Sequence, residues 1–154
     1  MQWQSSGVKQ RMTPVLDTTA RPFARFMAAT IAFVLLSLVM PLRPGTALFY
    51  LGAALYVVGY GVVVLALANF RRARTDGIAT EGLYRCSRNP QWLGLVGVFT
   101  GRALATAAVP PLVLVALLVG SYHYQILLEE EVCRLAYGAR YEEYLERVPR
   151  YLFG

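Results

Sequence analysis

Residues 46–70 read TALFYLGAALYVVGYGVVVLALANF, a stretch without one charged side chain. Crossing the hydrocarbon of a bilayer takes about 20 predominantly apolar residues in a helix, and this block exceeds that length. Only helices and closed barrels satisfy every backbone group in lipid. The apolar residues run on continuously and do not alternate, so the block predicts a helix. Three similar blocks surround it: residues 23–42, apolar after Arg25; residues 91–109, with the single charge Arg102; and residues 111–128, uncharged. The links between them are tight, Pro41-Leu42-Arg43-Pro44-Gly45 on one side and Pro110-Pro111 on the other. The first block starts too late, is too long and lacks a small-residue cleavage site, so it reads as a span and not as a leader. The expected fold is all-α: a polytopic membrane protein of about four transmembrane helices, with residues 1–154 forming a single domain.

Composition agrees. Hydrophobic residues make up 56% of the 154 and charged residues 16%, against about 25% charged in a typical soluble domain. That balance excludes a disordered chain and a collagen-like one. Two cysteines, Cys86 and Cys133, are too few for a disulfide framework.

The charges give the orientation. Lys9, Arg11, Arg21 and Arg25 precede the first block. Arg71, Arg72, Arg74, Arg85 and Arg88 lie between the second and third, and Arg134, Arg140, Arg147 and Arg150 follow the fourth. With four helical crossings all thirteen fall on one side, and only Arg43 and Arg102 do not. Loops rich in Lys and Arg face the cytoplasm, which places the 1–22 segment, the 71–90 loop and the 129–154 segment there. Every Asp and Glu falls on the same side. The net charge of +6 is accounted for by topology and contact with anionic membrane lipid. Nucleic-acid binding is not expected, because the chain has no zinc-finger spacing, RNA-binding motif or Gly-rich phosphate loop. Beyond residue 128, Val132, Leu135, Ala136, Tyr141, Tyr144, Leu145 and Val148 recur at helical spacing among charges. They predict an amphipathic cytoplasmic helix on the inner membrane surface, interrupted at Gly138 and ended by Pro149.

Two polar stretches flank the hairpin of the third and fourth spans. The first is GIATEGLYRCSRNPQWLG, residues 77–94; the second is EEEVCRLAYGARYEEYLERVPR, residues 129–150. The hairpin returns to the same membrane face, so Arg88-Asn89-Pro90 and Glu129-Glu130 are expected to be neighbours. Taken together, Gly82 and Tyr84, then Arg88, Asn89, Pro90, Trp92 and Gly94, then Glu129, Glu130, Tyr137-Gly138, Tyr141, Tyr144 and Val148-Pro149-Arg150 follow an ordered pattern. The pattern resembles that of the isoprenylcysteine carboxyl methyltransferase family, which is in turn similar to the phospholipid N-methyltransferases. The resemblance covers about half the chain, from Asn69 onward.

The resemblance implies a helical fold, S-adenosylmethionine (S-adenosyl-L-methionine) bound at the cytosolic face, and no Rossmann sheet. It maps the cofactor contacts onto Asn69, Asp76, Gly77, Ile78, Ala79, Tyr84, Asn89, Pro90, Gln91, Trp92 and Glu129. The residue types suit that cofactor. A carboxylate such as Glu129 takes an ammonium or ribose hydroxyls, and Tyr84 and Trp92 offer aromatic faces to adenine or to the sulfonium. Arg88 pairs with the cofactor carboxylate or with Glu129. Methyl transfer is an in-line displacement, helped mostly by alignment and exclusion of water. A thiolate or carboxylate acceptor needs no base. An amine or hydroxyl acceptor does, with Glu130, His123 and Tyr84 as candidates. Glu130, His123 and Arg88 are thus the expected catalytic residues. No metal site is expected, since His123 has no second histidine and the cysteines lack ligand spacing.

Three positions depart from the resembled pattern. Asn89 stands where histidine is usual and cannot titrate near neutrality. Trp92 replaces a tyrosine, and Gln125 stands where the prenylcysteine enzymes carry an arginine suited to an anionic acceptor. The expected acceptor is therefore lipophilic or small and membrane-accessible, and a prenylcysteine carboxylate is disfavoured. Two rival readings stand beside the methyltransferase: an NADPH-dependent membrane reductase of related fold, and a non-catalytic membrane subunit. Arg102 is expected to snorkel to the outer surface, and Gly97-x-x-x-Gly101 to permit close helix packing.

Overall fold

In the computed structural model the described residues are 24, 27–73 and 78–152. Their regular secondary structure is all helical, with no strand among them. Helix α1 covers Met27–Val39, α2 Ala47–Ala73, α3 Pro90–Thr106, α4 Val109–Tyr137 and α5 Ala139–Arg147. A one-turn 3₁₀ helix, Gly82–Arg85, stands between α2 and α3. Two helices, Ala47–Arg72 and Val109–Tyr137, are long and apolar enough to cross a membrane. Helix α3, with 17 residues, sits at the lower edge of that length.

The boundaries follow from local chemistry. Thr46 opens α2: its hydroxyl accepts from the Phe49 N–H (3.1 Å) and donates to the Arg43 carbonyl (2.9 Å), filling one vacancy of the first turn. Pro90 begins α3, where a missing N–H costs nothing. The turn into α4 is made one step earlier than the proline pair suggests, by Ala107 at φ 50°. Pro110 and Pro111 instead form the first turn of α4. That helix then runs past residue 128 through the three glutamates, because nothing breaks it before Gly138 at φ 56°. The expected surface helix is thus divided between the last turns of α4 and the short α5.

Helices α2 and α3 lie in backbone contact. A Cβ on Gly101 would fall 2.5 Å from the Gly52 carbonyl oxygen and 2.5 Å from the Tyr56 nitrogen; one on Gly59 would meet the Gly94 oxygen and Val98 nitrogen, both at 2.7 Å. Phe33 of α1 is buried with Ala103 of α3 and Val115, Leu118 and Tyr122 of α4. The Phe33 ring meets Phe99 edge-on at 4.9 Å. A second cluster, Ile78, Tyr141, Tyr144 and Val148, joins α5 to the loop before α3. Arg102 does not extend outward alone; its Nη2 donates to the Ser37 and Met40 carbonyls at the end of α1.

Candidate functional site

The loop before α3 is shaped by packing on α2. Gly82 turns at φ 61°, and a Cβ there would collide with the Asn69 side chain. The 3₁₀ turn that follows buries Tyr84, whose ring lies 6.3 Å from that of Phe70. Ser87, 1% exposed, accepts from the Asn89 N–H (3.1 Å) and donates to the Arg150 carbonyl (3.2 Å). Asn89 does not use its side chain to cap α3; its amide donates to the same Arg150 carbonyl at 3.3 Å. The Arg88 N–H donates to the Pro149 carbonyl at 3.0 Å. Residues 148–150 therefore form a strap clipped along residues 87–89.

The strap is fastened at its other side by charge. Glu130 is 5% exposed. Arg150 grips it with Nε at 3.1 and 3.2 Å from the two carboxylate oxygens and Nη2 at 2.8 Å, the planar fork arrangement that lysine cannot make. Arg88 Nη2 lies 3.5 Å from the other side of the same carboxylate. Hydrogen bonding to Glu130 raises the Arg150 guanidinium further.

These elements enclose a cavity of about 200 Å³. Its floor is Arg88, Asn89 and Gln91, and its acidic side is Glu129 and Glu130 at the end of α4. The remaining wall is Ile78, Ala79 and the aromatic residues Phe70, Tyr84, Tyr137, Tyr141 and Tyr144, with Cys133. Glu129 lies beside the Trp92 side chain, and the Trp92 ring rests on Tyr122 at 4.3 Å. The Tyr144 hydroxyl donates to the Tyr84 carbonyl at 2.8 Å. Burial, with the nearby Glu129 charge, pushes the Tyr84 hydroxyl up to about 12, so it remains a neutral donor at physiological pH. The Tyr84 hydroxyl and Arg88 Nε are buried without a hydrogen-bond partner among the described residues. Buried polar groups are nearly always satisfied, and these two stand out on one cavity.

Of the residues expected from sequence, the cavity gathers Ile78, Ala79, Tyr84, Arg88, Asn89, Gln91, Glu129 and Glu130. Asn69 packs beneath it against Gly82, Pro90 is buried in the first turn of α3, and Trp92 reaches it through Glu129. Asp76 and Gly77 lie outside the described residues, between Phe70 and Ile78, which both line the cavity. His123 does not line it; its Nδ1 lies 2.7 Å from the Tyr151 hydroxyl. Arg88 meets Glu130, the neighbour of Glu129, which was one of its two expected partners beside the cofactor carboxylate. Sequence reasoning did not assign the site Arg150, Phe70, Cys133 or the tail tyrosines. The signal for the tyrosines was present: Tyr137, Tyr141, Tyr144 and Val148 share one helical face, which reads equally well as an interfacial belt.

Tyr144→Phe removes one buried hydrogen bond that costs about 1 kcal/mol to lose. A modest fall in melting temperature in detergent, without loss of helix content by circular dichroism, is the expected outcome.

Compared with known proteins, the chain matches the family model described as phospholipid methyltransferase over residues 45–140. The match takes in α2, the loop, α3 and all of α4, and stops just after Gly138, before most of α5 and the strap. Comparison with curated proteins and with solved structures finds no match.

Proposed function

The chain belongs to the phospholipid methyltransferase family, a family of membrane methyltransferases, and on that premise we propose that it transfers a methyl group from S-adenosylmethionine to a lipophilic or small membrane-accessible acceptor. The reading includes a four-span topology with the cavity at the cytoplasmic face, supported by the one-sided distribution of arginine. The observation that carries it is the single cavity joining Tyr84 and Asn89 to Glu129.

The donor set fits the cofactor. Glu129 would take its ammonium or ribose hydroxyls, Arg88 Nε its carboxylate, and Phe70, Tyr84 and Tyr137 its adenine. At about 200 Å³ the cavity is smaller than the ~300–1,000 Å³ of common ligand sites, so it would hold part of the cofactor. When bound, the cofactor supplies an electrophilic methyl on a sulfonium. The chain's own residues orient and shield: Asn89 and Ser87 hold the strap, and the strap excludes water from one side. Glu130 has both oxygens committed to Arg150 and Arg88, so we assign it to fastening the strap. Glu129 is the acidic group left facing the cavity.

Titration calorimetry with S-adenosylhomocysteine tests this. Binding by the wild-type protein and a loss of at least roughly tenfold in Glu129→Gln are expected, the scale of a charge-assisted hydrogen bond. NADPH should produce no heat. Silence with S-adenosylhomocysteine at millimolar concentration, or a binding isotherm with NADPH, would overturn the proposal.

A further inference from the structure

At the end of the molecule opposite the strap, Arg102 lines a separate cavity of about 220 Å³ between α1, α2 and α3. Phe33, Ser37, Tyr56 and Phe99 form its walls, and Leu38, 78% exposed, stands at its mouth. Arg102 Nη2 is used by the α1 carbonyls, but Nη1 is buried with no partner among the described residues. The backbone of a second arginine joins the same end of α3. The Arg43 N–H donates to the Ala105 carbonyl at 3.0 Å, which lays the α1–α2 turn over the end of α3, with the Arg43 side chain exposed.

No carboxylate is available to these two arginines among the described residues. Glu81, Glu129, Glu130, Glu131, Glu142, Glu143 and Glu146 all belong to the strap end. Arg102 is about 18 Å along α3 from Pro90, at 1.5 Å per residue. No described ion pair includes Arg43 or Arg102. A charged side chain within a membrane segment pairs with an opposite charge or with backbone carbonyls; the α1 carbonyls take Nη2, and nothing among the described residues takes Nη1.

We propose that Arg102 and Arg43 form a binding site for the phosphate of an acidic glycerophospholipid of the outer leaflet, with an acyl chain of the same lipid along the apolar cavity. The phosphate meets the two guanidiniums, and the exposed Val34 and Leu38 face the chain region of the bilayer. A free anion matches the charge but leaves the apolar walls uncovered. The inference rests on the four-span topology proposed above and is independent of the methyl-transfer chemistry.

The test is lipid retention. Protein reconstituted in nanodiscs of mixed phosphatidylcholine and phosphatidylglycerol is released for native mass spectrometry, and the bound lipids are counted. The wild type should retain phosphatidylglycerol selectively. Arg102→Gln should lower that selectivity roughly tenfold, and Arg43→Gln about fivefold. Arg71→Gln, at the opposite membrane face, should lower it less than either. Arg43→Gln keeps the α1 tether intact, so the result stands even where Arg102→Gln fails to assemble. Equal retention of both lipids in the wild type, or equal loss in Arg71→Gln, would overturn the site, and displacement of retained lipid by inorganic phosphate would overturn its assignment to a lipid. Titration of the same samples with S-adenosylhomocysteine keeps the two proposals apart, since either reading fails without the other.

Discussion

Arg150→Ala will release the strap and leave Glu130 buried with only Arg88, 3.5 Å away. Removing one partner of a buried charge pair typically costs about 3–5 kcal/mol. Arg150 is itself partly exposed, which places the expected loss near the lower end. The effect has three readouts. The melting temperature in detergent should fall sharply. Protease should cut within residues 139–150, where the wild type resists. Affinity for S-adenosylhomocysteine should fall as well, because the Arg150 carbonyl also receives Ser87 and Asn89 and holds the cavity floor. Arg150→Lys should recover only part of the loss, since an ammonium cannot take both carboxylate oxygens as the fork does. An Arg150→Ala protein that melts and cleaves like the wild type would show that the strap is not fastened by this contact.

Gly101→Ala should disrupt the α2–α3 pair. The obstacle to the new methyl is main chain of α2, the Gly52 oxygen and Tyr56 nitrogen at 2.5 Å, and no rotamer change clears it. Overpacking commonly costs about 1–3 kcal/mol, and a backbone obstacle puts this site at the top of that range. The better helix propensity of alanine returns about 1 kcal/mol at most. Gly120→Ala is the matched control: nothing lies within 4 Å of a Cβ there, so the same chemical change should be neutral or mildly stabilising. Equal melting temperatures for the two variants would refute the close approach of these helices.

The contrast between those glycines shows what the sequence discloses. Gly97-x-x-x-Gly101 marks α3 as a helix with a close neighbour, but small residues do not name the neighbour. That Gly52 and Gly59 of α2 answer them is a long-range fact. The apolar blocks and proline links locate the helices because those signals are local. The meeting of Arg88-Asn89 with Glu129-Glu130 was legible for a geometric reason: a helical hairpin must return to the end from which it started. The placement of Arg150 was not. Gly138 takes a positive φ, and the direction in which the chain leaves it is set by where Tyr141 and Tyr144 find cover against Ile78. Helical spacing groups those tyrosines on one face without saying what that face meets. His123 illustrates the converse, since sharing a stripe with Glu130 did not bring it to the same cavity. Its partner, Tyr151, arrives with the strap.

The strap also sets an order of events during synthesis. Residues 148–150 leave the ribosome after α1 to α4, so these helices can be seated before Arg150 emerges. An inserted intermediate with its helices packed would still have Glu130 paired with Arg88 alone and residues 87–89 without the strap. Competence for catalysis would then be acquired in a single late step, the docking of a short basic peptide onto a preformed bundle.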